Sequence, residues 1–168
     1  MEDIRSALAE LMEVDLTARY PRVVTPAAPS AGADWSLTVP GGVRWRVRSI
    51  VAKLTTAVAV ANRVPALLLS DGTSVFMASA ATYNQAASKT LNYAWYPDAQ
   101  SPPAATAGAW LGLPFPDVWL ETGYVIASST ANMQAADQWS AIALAVEEMR
   151  TGPPAPQTVH RGVALQRG

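Results

Sequence analysis

The chain has 168 residues, 12 Lys and Arg against 13 Asp and Glu, a net charge of −1 and no cysteine. That length fits one domain with terminal extensions, and a body of roughly 120–150 residues buries enough surface to need no metal or disulfide staple. The balanced charge argues against a nucleic-acid binder with a dense basic patch, and the lack of cysteine excludes disulfides, thiolate metal sites and iron–sulfur clusters.

Only 15% of the residues are charged, against a usual value of about 25%. Such a chain either satisfies part of its surface against other protein or reflects drift toward alanine. The N-terminus has no basic region followed by an apolar run, so synthesis in a cytoplasm is expected. The longest apolar stretch, residues 50–69, is interrupted by Lys53, Asn62, Arg63 and Pro65 and cannot span a bilayer.

Ile4, Leu8, Met12 and Leu16 lie on one i+4 row with Leu11 beside it, which predicts an amphipathic helix over residues 1–20. Glu2 and Asp3 suit its positive end, and Pro21 disfavours helix at Tyr20. A helix this short is marginal in water alone, so the stripe is expected to be buried against a partner or against its own sheet. Residues 21–34, with Pro26, Pro29 and Gly32, read as a Pro/Ala-rich linker that tethers the helix.

From Trp35 the period changes to two. Trp35, Leu37 and Val39 alternate with Ser36 and Thr38, Pro40-Gly41-Gly42 turns the chain, and Val43, Trp45 and Val47 alternate with Arg44, Arg46 and Arg48. At Ser49-Ile50 the phase slips, which predicts a bulge or a sandwich corner, and Ile50, Leu54, Val58 and Val60 continue the apolar series. Asn62-Arg63 reads as a turn. Val64–Ser70 and Thr73–Ala78 flank Asp71-Gly72, a hairpin signal, and residues 91–96 form a further strand.

Residues 97–117 hold five prolines and read as a long loop. Val118–Glu121 and Tyr124–Ala127 flank Thr122-Gly123 as a second hairpin. Residues 135–150 are good helix formers, yet they alternate as a buried strand, and the strands before them favour a closing strand. The expected fold is all-β: an antiparallel β-sandwich, jelly-roll-like, over residues 35–150, with the N-terminal helix and an extended C-terminal arm over 151–168.

His160 is the single histidine and lies in that arm, where it can build neither a zinc site nor a triad. No phosphate-loop, dinucleotide, zinc-protease or serine-hydrolase motif occurs. Asp117, Glu121 and Asp137, near loops and aromatic residues, are the carboxylates available for acid–base work, while Glu147 and Glu148 end a strand and are expected to face solvent. Arg44, Arg46 and Arg48 form a basic stripe on one strand face, fit for a solvated face or salt bridges to a neighbouring subunit. Of six tryptophans, Trp35, Trp45, Trp95 and Trp139 fall in phase with core neighbours. Trp110 and Trp119, in or beside the proline-rich loop, are the candidates for stacking on a ligand.

Residues 39–47, Val-Pro-Gly-Gly-Val-Arg-Trp-Arg-Val, and residues 54–63, Leu-Thr-Thr-Ala-Val-Ala-Val-Ala-Asn-Arg, resemble a pattern of small tailed-bacteriophage virion proteins. There a V-P-x-G-x-x-W strand precedes an L-x-T-x-A-x-x-x-N-R strand. Residues 129–139 are similar to their penultimate loop, which leads into a last strand that here ends in Glu147-Glu148. The resemblance covers residues 37–148 and implies a β-sandwich component of the head, neck or tail, without catalytic residues.

The expectation is thus a non-enzymatic structural subunit of a virion, with no catalytic, cofactor or metal residues. It would be made in a bacterial cytoplasm and partnered by capsid, portal, neck or tail subunits and by copies of itself. Neither membrane nor direct nucleic-acid contact is expected. Its assembly interface would comprise Ile4, Leu8, Leu11, Met12, Leu16, Arg44, Arg46 and Arg48. The alternative is a carbohydrate-binding or adhesion module of a tail fibre, using Trp110 and Trp119.

Overall fold

The computed structural model describes residues 19–100 and 110–151. Among these the secondary structure is all strand: β1 (Arg19–Val24), β2 (Ser36–Thr38), β3 (Val43–Thr55), β4 (Val64–Ser70), β5 (Val75–Ala80) and β6 (Thr90–Tyr96), then β7 (Trp110–Pro114), β8 (Trp119–Leu120), β9 (Val125–Ala131), β10 (Gln138–Trp139) and β11 (Ala143–Arg150). They form two sheets. Sheet A runs β1-β11-β3-β6-β7, with β8 and β10 also paired to β3, and sheet B runs β2-β9-β4-β5. All pairings are antiparallel except β6 with β7. The chain is therefore all-β, with two mostly antiparallel sheets enclosing one core, as a β-sandwich does.

β3 organises the core. Trp45 and Val47 point inward on odd numbers, then Ile50, Ala52 and Leu54 on even ones. The slip expected at Ser49-Ile50 is a bulge: Val47 pairs Val146 and Ser49 pairs Ala145, which leaves Arg48 unmatched. Tyr93 stacks on Trp95 and meets Trp139 edge-on, each at 5.7 Å between centroids. With Trp35 and Trp45 these rings fill the space between the sheets.

Of residues 135–150, expected as one closing strand despite their helical propensity, Gln138–Trp139 and Ala143–Arg150 are strand, and the residues before and between them are not. β11 is hydrogen-bonded on both sides, by β1 and β3, while Leu144 and Val146 enter the core. Sheet pairing and burial together outweigh a few tenths of a kcal/mol per residue of propensity.

Several expectations are corrected. Most of the helix expected over residues 1–20 lies outside the described residues, but Arg19 and Tyr20 belong to β1. Residues 21–34 are not a free tether. Their first four residues complete β1, Gly32 N donates to Asp137 O at 2.8 Å, and Gln138 Nε2 donates to Pro29 O at 2.8 Å. Pro21 is tolerated because β1 is an edge strand, whose missing N–H costs no ladder bond.

The proline-rich stretch 97–117 contains a strand, β7. Leu111 and Leu113 alternate inward there, and Pro114 sits at the free edge. Thr122-Gly123 is not a hairpin turn, because β8 pairs β3 in sheet A while β9 belongs to sheet B. The turn carries the chain between sheets, with Gly123 at φ +86°. Val58 and Val60 do not continue the core. They are 83% and 96% exposed on the loop after β3. Of the C-terminal arm only Thr151 is described, its N–H donating to Gly42 O at 2.9 Å; the rest, with His160, lies outside the described residues.

Candidate functional site

The outer face of sheet A is built in cross-strand rows. Arg19, Met149 and Arg44 share one row, and Pro21, Glu147, Arg46 and Trp119 the next. The arginine stripe therefore lies beside acids of β11 and of the segments that flank β8. Arg44 meets Glu121 at 2.5 Å. Arg46 Nε donates to Asp117 Oδ1 at 2.6 Å, and its Nη2 donates to Asp117 Oδ2. Arg48 bonds Glu147 through Nε at 2.9 Å and Nη2 at 2.5 Å.

The hydrogen bond from Arg46 holds the Asp117 carboxyl below the usual carboxylate range, with Arg48 helping, and the same bond raises the Arg46 guanidinium. These pairs are partly exposed at the surface of the sheet, where screening by solvent keeps the contribution of each to stability small. What they do is neutralise the stripe from within, so that the face presents alternating signs rather than a basic track.

The two free tryptophans differ. Trp119 is half-buried and engaged, with Arg19 and Arg44 lying 5.4 and 5.6 Å from its ring centroid. Trp110, at 64% exposed, stands at the start of β7 beside Asn92, whose other neighbour is Lys53. Lys53 and Arg46 are seven residues apart on β3, roughly 23 Å at strand rise. The two rings therefore share a face but not a stacking platform. Trp35, Trp45, Trp95 and Trp139 are buried, as expected.

Sequence reading missed the buried ionic centre. Arg63, read as a turn residue, is fully buried with Asp137. Arg63 Nε donates to Asp137 Oδ2 at 2.8 Å and Nη2 to Oδ1 at 2.9 Å, while Nη1 donates to the carbonyls of Ala59 and Ala61, both at 2.9 Å. Asp137 accepts two more bonds, from Ala57 N and Gln134 N, both at 2.7 Å. Burial pushes its carboxyl up, but the bonds from Arg63, Gln134 and Ala57 outweigh that and hold it below the ordinary value.

All four acceptor positions of the carboxylate are filled, so the pair clamps the loops 56–62 and 132–137 to each other. The signal available in sequence was an arginine between a run of small apolar residues and a core strand. Without the partner's position it cannot be told from a turn.

Two neighbouring networks do similar work. Asp34 accepts from Ser128 Oγ, Thr130 N, Thr130 Oγ1 and Trp139 Nε1 at 2.7 to 3.2 Å, tying the segment before β2 to β9 and β10. Gln85 donates to the carbonyls of Leu54 and Lys89 and accepts from Tyr93 Oη at 2.8 Å. Burial raises the Tyr93 hydroxyl well above its usual value, so it remains a neutral donor.

Each carboxylate considered for acid–base work is engaged by an arginine: Asp117 by Arg46, Glu121 by Arg44 and Asp137 by Arg63. Glu147 and Glu148, expected to face solvent, are instead partly buried and paired with Arg48 and Arg22. Glu148 Oε2 also accepts from Trp45 Nε1 at 2.9 Å. Among the described residues no three His, Cys, Asp or Glu side chains group as metal ligands. No described helix is long and apolar enough to cross a membrane. The stripe of Ile4, Leu8, Leu11, Met12 and Leu16 lies outside the described residues. In comparisons with known proteins, no family model and no curated protein matches this chain.

Proposed function

We propose that this chain is a non-enzymatic structural subunit of a tailed-bacteriophage virion, joining neighbouring subunits in the head, the head–tail neck or the tail. The observation that carries the reading is the strand order. Eight strands run β1-β11-β3-β6 and β2-β9-β4-β5, the two-sheet arrangement of a jelly roll, an architecture used by viral capsid and lectin domains. The resemblance of residues 37–148 to small virion proteins points the same way. So does the engagement of the candidate carboxylates in arginine pairs, which leaves them poorly placed to exchange protons with a substrate.

The test is mass spectrometry of particles purified from a culture that carries the gene, together with deletion of residues 1–18. A fixed copy number per particle, with the truncated chain folded but not incorporated, supports the reading. Absence from particles overturns it. Because Arg19–Val24 form β1, the cut belongs before Arg19; a longer deletion would strip the edge of sheet A.

The adhesion reading rests on Trp110 alone, exposed beside Asn92. It predicts saccharide binding that Trp110→Ala abolishes and Trp119→Ala does not.

A further inference from the structure

Among the described residues four strands end the sheets: β1 and β7 in sheet A, β2 and β5 in sheet B. An unpaired edge is a template for a further strand, and proteins blunt it with charge, proline or brevity. β1 carries Pro21 between Arg19 and Arg22, β7 ends in Pro114, and β2 is three residues long. Residues 75–83, which comprise β5 and the turn after it, hold no charge and no proline. The one irregularity of β5 lies at its start, where Leu69 pairs Met77 and Ser70 pairs Val75, which leaves Phe76 unmatched. Residues 77–80 are regular.

The backbone of that stretch fixes what it can accept. Ala81 N donates to Pro65 O at 2.8 Å, and Leu67 lies opposite Ser79. Bonded and non-bonded pairs alternate along an antiparallel ladder. Ser79 is therefore bonded to Leu67, while Ala78 and Ala80 turn their N–H and C=O groups away from β4. These groups run along a groove of about 500 Å³ between β5 and the end of β7, lined by residues 77–80 and by Pro114, Phe115 and Pro116. Ser79 lines it too, at 8% exposed, and its Oγ has no hydrogen-bond partner. A hydroxyl so far from water calls for one.

A second β5, brought up antiparallel about a two-fold axis, can meet all of these groups in one register. Ala78 pairs with Ala80 of the second copy and Ala80 with its Ala78, so the two N–H and two C=O groups of each strand close four bonds. Ser79 then stands opposite Ser79 of the second copy in a non-bonded pair, where Cα atoms approach to about 4.5 Å and hydroxyls can bond across the strands. The other two-fold register, centred on Ala78, sets Ser79 against Met77 and draws in the bulged Phe76. Symmetry alone supplies the second serine, which is why the fitting occupant is a copy of the same strand.

We propose that two copies of this chain pair through β5, joining their sheets B into one continuous sheet across a two-fold axis. The proposal goes beyond the assembly reading above, which names no surface on which copies meet.

The chain has no cysteine, so a single introduced thiol reports one distance. Ser79→Cys, mildly oxidised, should close a disulfide between copies, because opposed residues of such a pair lie within the Cα separation of about 4.4–6.8 Å that a disulfide spans. Met77→Cys faces Ala81 of the second copy, not its own counterpart, and should stay reduced. Ala78→Pro removes an N–H that serves no ladder bond inside the molecule. It should leave the circular dichroism spectrum unchanged and turn the wild-type dimer into a monomer in analytical ultracentrifugation.

A wild-type chain that stays monomeric up to its solubility limit overturns the proposal. So does a dimer that survives Ala78→Pro, or one that gives a disulfide from Met77→Cys and none from Ser79→Cys. If Ala78→Pro does not fold, the two cysteine variants decide alone. A disulfide-linked Ser79→Cys dimer of a chain absent from purified particles keeps this pairing and ends the virion reading. A chain present in particles whose Ser79→Cys form never cross-links does the reverse.

Discussion

Replacing Asp137 with alanine tests the view that a buried ion pair sets the loop end of the sandwich. In the native fold Arg63 and Asp137 are both fully buried. The substitution strands a guanidinium in the core and removes the acceptor for the N–H groups of Ala57 and Gln134. Removing one partner of a buried pair costs about 3–5 kcal/mol. Set against a total stability of about 5–15 kcal/mol, this is a large fraction.

For a body of this size the loss corresponds to a melting temperature lower by roughly 10–20 °C. The assay is thermal unfolding of wild type and variant at pH 7, followed by circular dichroism. The double variant Arg63→Met/Asp137→Leu should recover part of the loss, because no charge is then buried. It should stay below wild type, because the backbone groups of residues 57, 59, 61 and 134 remain unpaired. A shift of less than about 3 °C for Asp137→Ala, when a kcal/mol moves the midpoint by several degrees, would refute the reasoning.

The same pair predicts a pH dependence. The folded pKa of Asp137 lies below its unfolded value of about 3.9, because the bonds from Arg63, Gln134 and Ala57 outweigh the effect of burial. Its contribution is therefore complete above about pH 4 and is lost as pH falls through the lower folded value. Wild type should lose stability on acidification below about pH 4, and its advantage over Asp137→Ala should narrow in that window.

Other outcomes follow from single positions. Trp45→Ala should destabilise the body by about 3–5 kcal/mol, since truncating a buried aromatic leaves a cavity and here also removes the bond to Glu148; an unchanged melting temperature would place Trp45 outside the core. Gly32→Ala should lower the melting temperature by an amount matching about 1–3 kcal/mol of backbone strain. Gly32 has φ +73°, and an added Cβ would lie 2.8 Å from Ala135 Cα. Arg46→Ala should leave the melt close to wild type, because its main partner, Asp117, is an exposed carboxylate; a large loss would show that the ladder on sheet A is structural.

By itself the sequence determined most of the strands from Trp35 onward, though not β1 or β7. Alternation at Trp35–Val39, Val43–Val47 and Leu91–Tyr96 has period two, and period two is a property of the backbone that needs no partner to be read. The bulge in β3 was legible for the same reason, as a change of phase from Val47 to Ile50. What the tertiary structure decided is pairing. Thr122-Gly123 carries the chain between sheets, and β7 survives among prolines because an edge strand can forgo an N–H. Residues 143–150 are held as strand by hydrogen bonds from both sides.

The same holds for the arginines. Arg44, Arg46 and Arg48 stand on one face by periodicity alone, but their neutralisation by Asp117, Glu121 and Glu147 depends on residues that lie about 70–100 positions away in the chain. The pairing of Arg63 with Asp137, 74 residues away, is of this kind too. Charge and hydrophobicity are local and can be read along a chain. Which charges meet is set by register and crossover, and those exist only once the sheets have closed.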